Sequence, residues 1–236
     1  MRAAPDKRAV SDADRANALR LVPVSRETLA RLDAFAALLA RWQRAVQLVA
    51  PADLSKLWTR HIADSLQLIE LVPRAKIWAD LGFGAGFPGL VIALAFGDSA
   101  RGFVHLVESD RRKAAFLREA IRITQAPAKV YAERIESVAK RLADEVEVVT
   151  ARALAPLPQL LQLAAPFLAK GIPALFPKGQ DVDNELTEST KSWNIQATIV
   201  PSRTHPHGKI VWVERASPRR GPEEASEAGK RPGKPS

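Results

Sequence analysis

The chain of 236 residues contains no cysteine. That absence excludes a disulfide-stapled scaffold, a thiolate metal centre and any mechanism that runs through a cysteine nucleophile. Long apolar runs are missing as well. No stretch reaches the roughly 18 to 20 residues that a membrane span needs, and the charged opening MRAAPDKRAVSDADRANALR has no apolar signal core behind it. A cytoplasmic protein without a membrane partner is the expectation. No internal repeat is found. What is present is a hydrophobic content of 47%, enough for one large domain or a domain with an extension. The formal charge is +9, with a pI near 10.2, which admits a polyanionic partner such as nucleic acid. The first 24 and the last 20 residues carry two net positive charges each, leaving +5 on the middle. A mildly basic fold is common, so charge alone favours RNA or DNA only modestly.

The chain divides into four parts. Residues 1–24 read as a flexible N-terminus with a short helix around Ala13 to Leu21, and residues 217–236, all Pro, Gly, charge and small side chains, as a disordered tail. Residues 25–73 form a helical extension. Leu29, Leu32, Phe35, Leu39, Trp42, Val46 and Val49 recur at helical spacing behind the N-cap Ser25, predicting a helix of about 25 residues up to Pro51. Leu54, Leu57, Trp58, Ile62, Leu66 and Ile69 predict a second helix that stops near Pro73. Residues 74–216 alternate strand and helix from KIWADL onward and close on an apparent antiparallel pair, IQATIVPS and KIVWVERA. This rhythm predicts an α/β class and a doubly wound, Rossmann-like sheet of about seven strands.

In such a sheet the ligand lies beyond the carboxyl ends of the strands, and the first strand-to-helix turn carries the glycines. Here that turn is DLGFGAGFPG, residues 80–89. Gly84, Gly86 and Gly89 satisfy a dinucleotide fingerprint, so a nicotinamide or flavin cofactor is one reading. The tighter series is Asp80, Gly82, Gly84, Gly86, with a carboxylate two residues before the first glycine. A pyrophosphate at the helix N-terminus would lie close to that carboxylate and be repelled by it. S-adenosylmethionine carries an ammonium and a sulfonium instead, which an acid at the strand lip complements. Glu108, at the end of the second strand, can accept both hydroxyls of an adenosine ribose, a role shared by both kinds of cofactor.

With these motifs placed, the chain resembles the RsmG (GidB) methyltransferases between Arg26 and Glu214, through RWQRAVQLV, RHIADSL, DLGFGAGFPG, ESDRRKAAFL, ERIES, TARALAPL and PKGQ in that order. The resemblance implies a seven-stranded methyltransferase fold with an N-terminal helical extension. It also implies transfer of a methyl group from S-adenosylmethionine to N7 of a guanine in 16S ribosomal RNA, with that RNA or the small ribosomal subunit as partner. Gly82 and Phe87 would line the cofactor pocket, Ile135 and Glu136 would flank the adenine, and Arg152 would lie against the cofactor and the entering base as the catalytic residue. Two departures stand out: Gln43 and Gln47 replace the family's usual asparagines, and Phe83 replaces a small hydroxyl residue.

Guanine N7 presents an unprotonated lone pair at neutral pH, so no strong general base is required, and the chain has neither a cysteine nor a D-P-P-Y or N-P-P-Y segment after its fourth strand. Arg152 suits contacts to O6 of the base or to the cofactor carboxylate. Candidate RNA phosphate contacts are Arg41, Arg44 and Arg60 on the extension and Lys178 after the fifth strand, with Gly179 beside it. His61, inside RHIADS, either stacks on a base or hydrogen-bonds to Asp64 within the core. No metal ligand set is found, and nothing demands a dimer, so a monomer is expected. Against this reading stand a small-molecule or other RNA methyltransferase, an NAD-dependent oxidoreductase and a non-catalytic RNA-binding protein.

Overall fold

The computed structural model describes residues 10–82, 84–97 and 102–219. Phe83, most of the expected tail and the first nine residues lie outside the described residues. The N-terminal extension opens with α1 (Asp12–Leu21), whose N-cap Ser11 accepts a hydrogen bond from the Asp14 amide. It continues with α2 (Arg26–Trp42), capped by Ser25 as expected. This helix ends eight residues earlier than the apolar spacing suggested. The reason is Gln43: its Oε1 accepts from the amides of Leu48 and Val49 and its Nε2 donates to the Val49 carbonyl, so the side chain takes over the bonds that a continuing helix would have made. One of the two glutamine departures is thus a structural cap, while Gln47 is exposed.

The second expected helix is three pieces. A 3₁₀ segment (Pro51–Lys56) leads into a π-helical turn (Trp58–Ala63) and then α3 (Asp64–Leu71). Asp14 of α1 reaches across to the start of the π turn, where its carboxylate accepts from the amides of Trp58 and Thr59 and from the Thr59 hydroxyl. Periodicity cannot distinguish these turns, because each keeps Leu54, Trp58 and Ile62 facing inward.

The remainder is the expected α/β layering. β1 (Ile77–Leu81), α4 (Gly89–Phe96), β2 (Phe103–Val107), α5 (Arg111–Thr124), β3 (Ala128–Tyr131), α6 (Ile135–Leu142) and β4 (Val148–Thr150) come first. They are followed by α7 (Leu157–Leu168), β5 (Ala174–Lys178), α8 (Val182–Ser189), β6 (Trp193–Pro201) and β7 (Lys209–Pro218). The seven strands run in the order β3-β2-β1-β4-β5-β7-β6, with β7 antiparallel to both of its neighbours. β7 extends to Pro218, two residues beyond the boundary expected for the core. Side chains alternate across the sheet. Trp78, Val104, Leu106 and Ile210 pack with α2, α4 and α5 on one face, while Ala79, Leu81, Val149 and Phe176 pack with α6 and α7 on the other. Among the described residues no helix is long and apolar enough to cross a membrane.

Candidate active site

The order of strands reverses between β1 and β4, and in sheets of this kind ligands bind beyond the carboxyl ends of the strands at that point. Register brings the expected site residues to one level. Asp80 pairs with Thr150, the last residue of β4, so Gly82 and Arg152 each follow that pair by two residues at the same end of the sheet. Leu81 pairs with Val107, which puts Glu108 beside Gly82. The Glu108 side chain is buried and fixed: Oε2 accepts from the Gly84 amide at 3.0 Å and Oε1 from the Asp110 amide at 2.8 Å. Each oxygen keeps a second lone pair, so acceptance from ribose hydroxyls remains chemically open.

The glycines serve different ends. Gly82 and Gly84 are half-exposed with φ of 66° and 54°, where a side chain would be strained. A Cβ on Gly82 would also sit 2.5 Å from Leu154, so the loop after β4 packs directly on the loop after β1. Ala153, between Arg152 and Leu154, has φ of 52°, a left-handed conformation that turns the chain sharply there. Gly86 is buried, and a Cβ there would meet Leu90 and Leu117; it serves the packing of α4 rather than the approach of a ligand. Phe87 departs from expectation in the same way. Its side chain is buried in the core, edge-on to Phe35 at 5.5 Å and 4.9 Å from the ring of His61, because the glycine loop bends into the helical extension.

Asp80 is the largest correction. The carboxyl group is not at the strand lip but wholly enclosed, and Oδ2 accepts from the Gly89 amide at 2.6 Å. A Cβ at position 89 would lie 2.5 Å from that of Asp80, so this close approach requires the third glycine of the fingerprint. Burial pushes Asp80 up to about 8, against the lowering effects of the Gly89 hydrogen bond and nearby Arg152. A mostly protonated acid repels phosphate little at neutral pH. A pyrophosphate is disfavoured on another ground: the chain's own carboxyl group already occupies the first amide of α4, which an anion at that helix end would use.

Arg152 is held on three sides by the helical extension. Its Nη2 donates to the Arg60 carbonyl at 3.1 Å and to His61 Nδ1 at 3.0 Å, and its Nε lies 3.6 Å from Asp64 Oδ2. Burial lowers the Arg152 pKa, an effect the Asp64 charge opposes. Asp64 also accepts from Gln67, Ser202 and Thr204, joining α3 to the β6–β7 connection. His61 is therefore not the partner of Asp64, and its buried ring is not free to stack on a base. Asp64, Leu154 and the His61 bond to Arg152 are the components that sequence reasoning missed; no local pattern joins residues so far apart.

Ile135 and Glu136 open α6, just beyond β3, with Ile135 half-buried and Glu136 exposed. Arg41 and Arg44 are exposed at the end of α2 and have no side-chain partner among the described residues. Arg60 is half-exposed and pairs with Asp53 at 3.1 Å. Lys178 does not present a free charge. Its Nζ pairs with Glu185 at 2.6 Å and donates to the Ala155 carbonyl, while Glu185 also accepts from the Leu157 amide at the start of α7. The lysine braces the β4–α7 loop from within.

Residues 28–211 match the family model described as rRNA small subunit methyltransferase G. Among curated proteins, the chain is 54% identical to Ribosomal RNA small subunit methyltransferase G of Rhodopseudomonas palustris strain BisB18, over 87% of this chain and 88% of that one. The protein of the same name from Bradyrhizobium sp. strain BTAi1 is 55% identical, over 86% and 91%. Solved structures share the fold at low identity. An O-methyltransferase from Bacillus cereus in complex with SAH superposes with a TM-score of 0.53 at 15% identity, covering 87% of this chain and 98% of that one. A methyltransferase from Geobacter sulfurreducens reaches 0.54 at 15% identity, covering 88% and 98%.

Proposed function

The chain belongs to the rRNA small subunit methyltransferase G family, and from that premise we propose that it transfers the methyl group of S-adenosylmethionine to N7 of a guanine in 16S ribosomal RNA. The observation that carries the reading is Arg152: a guanidinium at the switch point, just beyond β4, held on three sides and still with one unpartnered group, Nη1. The residues present suit the cofactor. Two of the four buried side-chain polar atoms without a hydrogen-bond partner among the described residues, Arg152 Nη1 and Asp80 Oδ1, are a donor and an acceptor of the kinds that a carboxylate and an ammonium need. When bound, S-adenosylmethionine supplies a methyl group on a sulfonium.

The chain's own groups bind and orient. Glu108 accepts from ribose hydroxyls, Ile135 and Glu136 flank the adenine, and the bare backbone of Gly82 and Gly84 permits close approach. Methyl transfer needs the nucleophile in line and about 3 Å from the methyl carbon, so positioning is the main demand. Arg152 donates to O6 of the guanine or to the cofactor carboxylate and leaves the N7 lone pair free. Arg41, Arg44 and Arg60 contact RNA phosphates. The enzyme works as a monomer in the cytoplasm, where its ribosomal substrate resides.

The test uses small subunits from a strain lacking this gene. Labelled methyl transfer to the 16S RNA is expected, mapped by primer extension to one guanine N7 and reduced at least a hundredfold in Arg152→Ala. Transfer to small metabolites but not to the RNA, or tight binding of NAD in calorimetry, would overturn the proposal.

A further inference from the structure

We infer that His61 is the positioning residue for Arg152, its imidazole serving as a hydrogen-bond acceptor that fixes the plane of the guanidinium. The inference rests on the role given to Arg152 above. Arginine can only donate, so the 3.0 Å contact from Arg152 Nη2 requires a lone pair on His61 Nδ1 and places the ring hydrogen on Nε2. The Nε2 hydrogen points toward no hydrogen-bond partner among the described residues, and burial together with the charges around it keeps the ring neutral. Arg152 and Arg60 both oppose protonation, burial opposes it more, and Asp53, 3.6 Å from Nε2, is itself engaged by Arg60. The ring is fixed in turn by Phe87, whose centroid lies 4.9 Å away with planes 33° apart. Phe87 belongs to the glycine loop, so one stack ties the cofactor loop, the helical extension and the arginine together.

The π-helical turn makes this arrangement possible. In an α-helix the Asp64 amide would bond to the Arg60 carbonyl, four residues back. Here it goes to the carbonyls of His61 and Ile62, and the Arg60 carbonyl accepts from Arg152 instead. The turn thus offers the guanidinium two adjacent acceptors, one from the backbone of residue 60 and one from the side chain of residue 61. Without His61, Nη2 keeps the carbonyl and Nε its 3.6 Å contact to Asp64, so rotation about the Cζ–Nε bond breaks one hydrogen bond instead of two. With His61 present the guanidinium plane is held more firmly, and its unpartnered edge keeps one direction.

Two variants separate positioning from mere packing. His61→Phe keeps a ring against Phe87 and removes the acceptor, whereas His61→Asn places an amide oxygen near the Nδ1 position. The expected result is a kcat about tenfold to a hundredfold lower in the Phe variant, with KM for the RNA little changed, and recovery of most activity in the Asn variant. In cofactor-free enzyme, ¹⁵N spectra should resolve the Arg152 Nη signals in the wild type and in His61→Asn, and show them averaged by rotation in His61→Phe. Unchanged Nη signals in the Phe variant, or equal loss of kcat in both, would overturn the inference. If the Phe variant does not fold, the wild-type imidazole tautomer decides: a proton on Nδ1 overturns it. Full activity in Arg152→Lys would instead sink the catalytic role of Arg152, leaving the Nη measurement to judge His61 separately.

Discussion

The Asp80 carboxyl group is wholly enclosed and accepts a hydrogen bond from the Gly89 amide. Two residues before a glycine turn, Asp80 reads as a fixed negative charge, yet enclosure pushes its carboxyl group up to about 8, although the hydrogen bond from the Gly89 amide works the other way. At pH 7 it therefore holds a proton for most of the time, and a cation placed beside it would drive that proton off. Binding of S-adenosylmethionine at pH 7 should accordingly release close to one proton. Calorimetry in buffers of different ionisation enthalpy measures this directly, and the release should vanish in Asp80→Asn. Buffer-independent binding heats in the wild type would rule out an electrostatic role for Asp80 toward the cofactor. Glu108, by contrast, lies where the sequence places it, because the residue after a parallel strand is set by register alone.

At the scale of elements, the helical extension departs most from its sequence pattern. A single apolar stripe runs from Leu29 to Val49, but α2 stops at Trp42 because one glutamine supplies three hydrogen bonds to the following backbone. Gln43→Ala should lower stability by about 2 kcal/mol, since it leaves the part-buried Val49 carbonyl and two amides without partners. Urea unfolding checks this, and a change below about 0.5 kcal/mol would show that water replaces the side chain at little cost. The π turn is equally invisible to periodicity. It is held at its start by Asp14, from another helix, and it presents Arg60 and His61 to Arg152.

For the whole molecule, charge placement decides what grips RNA. Arg41 and Arg44 are exposed and unpaired among the described residues, whereas Lys178 is occupied by Glu185. Replacing both arginines by alanine should flatten the dependence of log affinity on log salt by about 1 to 2 units of slope. Lys178→Ala should leave that slope unchanged and lower the melting temperature, because it unbraces the β4–α7 loop. A slope that falls for Lys178→Ala would restore the phosphate contact that the structure argues against.

The dependence of stability on pH is a second property of the whole chain. Asp80 holds its proton in the folded state up to about 8 and releases it near 3.8 when unfolded, so its contribution is full below 3.8 and lost as pH rises through 8. His61, down at about 3 from 6.5, acts oppositely: its contribution is full above 6.5 and lost as pH falls toward 3. The two offset each other between about 4 and 6.5. Above that range only the Asp80 effect remains of the pair. Melting temperature should fall between pH 6.5 and 8 in the wild type and hold steady in Asp80→Asn, as scanning calorimetry would reveal.

The amino-acid sequence by itself determined the order of strands and helices, the glycine turn after β1, the acid after β2 and the arginine after β4. These depend on periods of two and 3.6 residues and on turn chemistry, all of which act over a few neighbouring residues. Only the tertiary structure decided that Arg152 meets His61, 91 positions earlier in the chain, and that Lys178 is bound internally. It alone decided that Phe87 turns toward the extension. The same holds for the protonation of Asp80, because a pKa depends on how completely the surrounding chain excludes water, and no local stretch of sequence fixes that.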